Sequence, residues 1–135
     1  MADESSTATW WRLNAICIDC APGEFELVCF FYCEFLGLRI AKRKSSWAKL
    51  ISTGGGIELN VQAQEWYAPP RWPEVGADRT KMMHFEIEVS DVELAVECAL
   101  ALGARISGHQ PRDRDPDKLR VLLDPAGHPF CLWAD

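Results

Sequence analysis

Cys17 and Cys20 stand in a C-x-x-C, and Cys29 and Cys33 follow at i, i+4 spacing. Thiolates so spaced can share a zinc ion or form a redox pair. The local pattern favours a plainer use. Cys17 lies in an alternating run that reads as a strand, where side chains three positions apart point to opposite faces. Cysteine then serves as a small apolar packing residue, reduced in a cytosolic chain. His84 heads a second alternating run, with Glu86 and Glu88 on its face. An imidazole beside two carboxylates can hydrogen-bond a ligand, and the carboxylates can meet a cation. Trp66, Tyr67 and Trp72 sit among Pro69, Pro70 and Pro73. Their rings can stack on a flat or cationic molecule, or pack a domain or dimer surface. His109 lies in a charged stretch and carries no signal. His128 follows Gly127 in a turn, where His tolerates left-handed backbone angles better than most residues.

The elements that position these groups repeat once. LNAICIDC (Leu13–Cys20) precedes a helical run ending in FLGLRI (Phe35–Ile40), and MMHFEIEV (Met82–Val89) precedes one ending in ALGARI (Ala101–Ile106). Each copy closes on a glycine turn and a strand, GGGIELNV (Gly54–Val61) and DPAGHPFCLW (Asp124–Trp133). Repeats of this kind set the architecture, so each half reads strand, helix, further strands. Ile16 and Ile18 share one strand face, as do Phe85, Ile87 and Val89, opposite Ala15, Cys17 and Asp19 and opposite His84, Glu86 and Glu88. Leu27, Phe31 and Phe35 step by four along the first helix, which Gly37 ends. Val92, Val96 and Ala99/Leu100 form the second stripe, opened by a Ser90/Glu93 capping box and ended by Gly103. Trp47–Ile51 and Leu119–Asp124 read as strands, with shorter ones at Leu38–Lys42 and Ala104–Ser107. The charged stretch Gly108–Asp117 reads as a solvated loop, with a lid over a pocket as the alternative.

At 135 residues the chain is one domain, about residues 10–134, with modules at about 10–62 and 81–134 and a linker at 63–80. A net charge of −6 disfavours nucleic acid and anionic membrane as partners, because both demand a basic face. No apolar run is long enough to span a bilayer, and Asp3 and Glu4 stand where an export signal would carry Lys or Arg. A cytoplasmic location is the expectation.

Three segments carry a resemblance to a known family. FYCEFLGLRI (Phe31–Ile40) resembles its "FY…LLGL" helix end, HFEIEVSDVELAV (His84–Val96) its second-module start, and LLDPAGHPFCLW (Leu122–Trp133) its "DPdGn.iel" hairpin. Together they resemble the glyoxalase/bleomycin-resistance/dioxygenase (vicinal oxygen chelate) superfamily over about Leu13–Trp133. The resemblance implies an α+β fold of two βαβββ modules forming one curved-sheet cleft, helices on the outer face. It also implies four metal-ligand positions, which fall here on Ala15, Glu58, His84 and Cys131. Ala15 cannot bind a metal and Cys131 replaces the usual Glu, so no cofactor is expected. Zinc on Glu58, His84 and Cys131 is the alternative.

The function implied is binding of a small organic molecule, aromatic or cationic, by a homodimer without metal. Glu58, Glu86, Glu88, Cys131, Trp66 and Trp72 are the candidate ligand contacts. Two alternatives stand beside it. One is a lyase, isomerase or dioxygenase that uses a divalent metal or a His84/Glu58 acid–base pair. The other is an interaction module with a vestigial cleft.

Overall fold

The strand–helix–strand order is written twice in the backbone. The first half is β1 (Ala15–Cys20), α1 (Phe25–Leu36), β2 (Arg39–Lys44), β3 (Trp47–Ile51) and β4 (Glu58–Ala63). The second is β5 (Phe85–Glu88), α2 (Val92–Ala101), β6 (Arg105–Ile106), β7 (Leu119–Leu123) and β8 (Pro129–Trp133). This computed structural model describes Thr9, residues 12–70 and residues 83–135. Each half builds a four-stranded mixed sheet, ordered β1-β4-β3-β2 and β5-β8-β7-β6. In both, first and last strands run parallel, as a helical crossover requires, while the remaining pairs are antiparallel.

The alternation of β1 places Ile18 and Cys20 in the core and leaves Cys17 exposed. Pro22 opens a 3-10 turn at Pro22–Glu24, and the Glu24 carboxylate accepts the Ala21 N–H at 3.0 Å, which fixes the entry to α1. The buried side of α1 is Phe25, Val28, Cys29, Phe31 and Tyr32. Leu27, expected on that stripe, is 57% exposed. Rows of residues four apart are inclined to the helix axis, so a row centred on Phe31 has turned toward water by Leu27. Gly37 ends α1 at φ 68°, as expected. On α2, Val92, Val96 and Ala99 are buried while Leu100 is not. The N-cap of α2 is Asp91, whose carboxylate accepts the Leu94 N–H at 3.1 Å, and not Ser90. Both residues can cap, and the register of the first turn decides between them.

Helix α1 covers both sheets. Phe31 and Phe35 bring their rings to 5.7 and 6.3 Å from Phe130 on β8, and Tyr32 lies edge-on to Phe85 of β5 at 5.9 Å. Fully burying side chains of this size stabilises by about 1.5–3 kcal/mol each, so the helix of one half contributes to the other half's core. A polar bond reinforces the contact. The Tyr32 hydroxyl donates to Asp124 Oδ2 at 2.6 Å, and both residues are fully buried. Asp124 Oδ1 accepts the N–H groups of Ala126 (2.8 Å) and His128 (3.0 Å), shaping the turn into β8. The corresponding turn of the first half is organised locally by Ser52, whose hydroxyl donates to Gly55 O and accepts the Gly54 N–H.

Two edges are finished differently. All six residues of β2 are exposed, four of them cations, a composition that blunts strand addition at an open edge. On the other sheet β6 spans two residues, and the Gln110 side chain takes the next place. Its carboxamide donates to Val121 O at 2.8 Å and accepts the Val121 N–H at 2.8 Å, as a neighbouring peptide group would. Among the described residues no helix is long and apolar enough to cross a membrane.

Candidate functional site

β1 and β5 are edge strands of separate sheets, and a cavity of about 710 Å³ opens between them. Four consecutive β1 residues, Ile16 to Asp19, line it together with Met83, His84 and Phe85 at the start of β5. Successive residues of a strand point to opposite faces, so a wall made of four in a row is the strand's edge. The hydrogen bonds agree. Asn14 O and Cys20 O accept from Glu58 and Gln64, which turns the even-numbered main-chain groups of β1 toward β4. Cys17 and Asp19 therefore direct their N–H and C=O away from β4. Asp19 O is taken there by His128 Nε2 at 2.6 Å.

The segment Gln64–Pro70 straps the cavity with Gln64, Trp66, Tyr67, Ala68 and Pro70. Gln64 donates to Asp19 Oδ1 at 3.3 Å, tying the strap to β1. Tyr67 ties it to the second half, donating its hydroxyl to Ala126 O at 2.8 Å, with its oxygen 3.2 Å from His128 Nε2. A carbonyl cannot donate, so Nε2 carries the proton toward Asp19 O, and the Tyr67 oxygen is its second acceptor. Burial raises the Tyr67 pKa, with Asp124 adding to the shift, so the phenol stays protonated. The turn beneath is tight: a Cβ on Gly127, already at φ 91°, would stand 2.9 Å from Pro69 Cβ. Trp66 is 92% exposed, its ring laid open at the cavity's rim.

The structure places the sequence-derived candidates in three groups. His84 and Trp66 line the cavity. Glu58, Glu86, Glu88 and Cys131 are not in its described wall, and Trp72 lies outside the described residues. Glu58 Oε1 is buried 3.3 Å from Lys49 Nζ, an ion pair outside hydrogen-bond geometry. His84 Nε2 stands 3.7 Å from Glu86 Oε2. Cys131 is buried and its register partner is Glu86, so His84 sits two positions away from it along the ladder.

A divalent ion needs converging donors. Ala15, paired with Glu58, offers none, Glu58 is engaged by Lys49, and His84 and Cys131 are out of step. Among the described residues no three His, Cys, Asp or Glu side chains are grouped to hold a metal. The residues at the four family positions do not fit the ion. Cys17 does line the cavity, and partial desolvation and then Asp19 raise its thiol pKa, which disfavours the thiolate.

Sequence reasoning missed His128 and the C=O of Asp19. His128 is read from sequence as a turn residue, yet the left-handed residue is Gly127, and the imidazole spans from the second half to the end of β1. No local pattern announces a contact 109 residues distant.

Comparison with known proteins extends these observations. A family model described as "Glyoxalase-like domain" matches residues 15–133. No curated protein sequence matches the chain. Among solved structures, a glyoxalase/bleomycin resistance protein/dioxygenase family enzyme from Burkholderia phytofirmans PsJN superposes with a TM-score of 0.63 at 19% identity, over 90% of this chain and 97% of that one. A glyoxalase-related enzyme from Fulvimarina pelagi gives 0.59 at 20% identity, over 90% and 88%. The trypanothione-dependent glyoxalase I of Leishmania major gives 0.59 at 16% identity, over 93% and 87%. At these identities the likeness is one of fold, on a scaffold that hosts several chemistries.

Proposed function

Because the chain belongs to the glyoxalase-like domain family, on a fold shared with proteins named as enzymes, we propose that it binds a small, flat organic molecule between its two halves without a metal ion. The observation that carries this reading is the cavity of about 710 Å³ at the seam of the two sheets, within the range of small-molecule sites. Its wall suits a flat apolar ligand: Ile16, Ile18, Phe85, Met83 and Pro129 surround it, and Trp66 and Tyr67 offer ring faces. Its polar groups are few, with His84 in position to orient a ligand. The donor set at the four family positions supports the metal-free part of the reading.

The test is a thermal-shift panel of flat aromatic compounds and aliphatic compounds of equal volume, run with and without chelator. A ligand at 100 times its dissociation constant adds about 2.7 kcal/mol to stability by mass action. Aromatic compounds should raise Tm equally in both conditions. Trp66→Ala should weaken their binding by about 0.5–1.5 kcal/mol, the worth of one ring–ring contact. If nothing raises Tm the proposal fails, and a shift abolished by chelator would return a metal to the site.

A further inference from the structure

We propose that the cavity is selective for aromatic carboxamides, whose amide group docks on the main chain of Cys17 while the ring lies against Trp66. This inference rests on the binding role proposed above and names the ligand class.

The argument begins with what an edge strand leaves open. Residues of β1 alternate in direction, and Cys17 turns both its N–H and its C=O away from β4. Among the described residues no strand pairs with that side of β1. Cys17 lines the cavity, so this donor–acceptor pair borders the space a ligand would fill. The adjacent outward carbonyl, that of Asp19, is already taken by His128. Among the described residues no partner meets these two groups, so Cys17 marks an open rung of the ladder facing the cavity.

The molecule itself contains the chemistry that fills such a rung. At the edge of the second sheet, Val121 presents the same pair, and a carboxamide, that of Gln110, bonds both groups at 2.8 Å, sharing the C=O with the Ser107 N–H at 3.1 Å. An amide offers an N–H donor and a C=O acceptor side by side, which a carboxylic acid at neutral pH, an ester or a dimethylamide does not. A carboxamide set on Cys17 as Gln110 is set on Val121 would carry its aryl group into the apolar part of the cavity. Trp66, Tyr67 and Ile16 line that part, and stacking contributes there.

Titration calorimetry of the full chain with 2-naphthamide, 2-naphthoate, methyl 2-naphthoate and N,N-dimethyl-2-naphthamide tests this. The primary amide should bind about tenfold more tightly than each of the other three. Those three keep an acceptor for the Cys17 N–H but bring no N–H to its C=O, so one net hydrogen bond and an unpaired carbonyl are at stake. In amide-detected NMR the Cys17 N–H resonance should shift on addition of the primary amide. Cys17→Ala keeps the main chain and should keep the preference. Cys17→Pro removes the donor that meets the ligand carbonyl, a group that faces away from β4, where edge positions tolerate proline. It should weaken all four compounds while the preference, which rests on the Cys17 C=O, remains. Undiminished affinity in this variant would overturn the site. Equal affinities across the four compounds, or a preference lost in Cys17→Ala, would overturn the main-chain site while leaving aromatic binding in place. Should none of the four bind, the binding role itself falls and this inference with it. Should Cys17→Pro fail to fold, the wild-type NMR result alone decides: an unmoved Cys17 N–H refutes the site.

Discussion

Replacing Tyr32 by Phe removes one oxygen and keeps the ring that packs against Phe31 and Phe85. Asp124 stays fully buried and keeps two main-chain N–H groups on Oδ1, while Oδ2 loses the hydroxyl at 2.6 Å. A hydrogen bond to a charged group is worth about 1.5–3 kcal/mol net, and the loss leaves an acceptor without water in reach. We therefore expect destabilisation of about 2 kcal/mol. Unfolding entropy of about 2.1 cal/mol/K per residue, over 135 residues, gives about 0.28 kcal/mol/K, so Tm should fall by about 7 °C. Calorimetry of wild type, Tyr32→Phe, Asp124→Asn and the double variant reads both the loss and its origin. If the two single losses simply add, the residues are not coupled and the bond is not the cause. A Tyr32→Phe protein melting within about 1 °C of wild type would refute the reasoning outright.

Other consequences can be measured alongside. Gly127→Ala should cost about 1–3 kcal/mol from the backbone at φ 91° alone, and more once its Cβ displaces Pro69; chemical denaturation with an unchanged midpoint would contradict this. Burial raises the thiol of Cys20 to about 12, with Cys29 adding to it, and burial raises that of Cys29 to about 11, both from 9.0. The unfolded chain then releases these protons first, so the stability is fully present below pH 9 and declines as pH climbs through 11 toward 12. Urea midpoints at pH 8 and 10.5 should differ in that direction, with a smaller difference in Cys20→Ala/Cys29→Ala. Glu58→Ala should leave ligand affinity within about twofold, since Glu58 is paired with Lys49 and absent from the cavity's described wall. A large loss of binding would reinstate Glu58 beside His84 as a working pair.

Much of the architecture is legible because period-two alternation and the paired glycine turns are local signals. Ile87 and Val89 pack on the core while Glu86 and Glu88 are exposed, as alternation alone requires. Helix faces are harder to read, since one step around the helix separates Leu27 from the buried side, and one residue separates Ser90 from the true cap. The site is legible in its parts and not in its assembly. His84 and Trp66 line the cavity, but the pairing of Lys49 with Glu58 depends on the β3–β4 register, and the offset of His84 from Cys131 on the β5–β8 register. Register is a long-range property that no window of sequence contains. The Cys17 main chain was invisible for another reason, because every residue type carries the same N–H and C=O.

The Tyr32–Asp124 bond also bears on how a duplicated chain can change. Counting back from Gly37 and Gly103, the counterpart of Tyr32 in the second copy is Cys98, which is exposed, while the first copy's turn is ordered by Ser52. Two copies of the first half would therefore hold a tyrosine hydroxyl with no buried acid to receive it. Two copies of the second would bury an aspartate with no hydroxyl to meet it. Neither half can be doubled to regenerate the whole, so the repeats are complementary parts and not interchangeable ones.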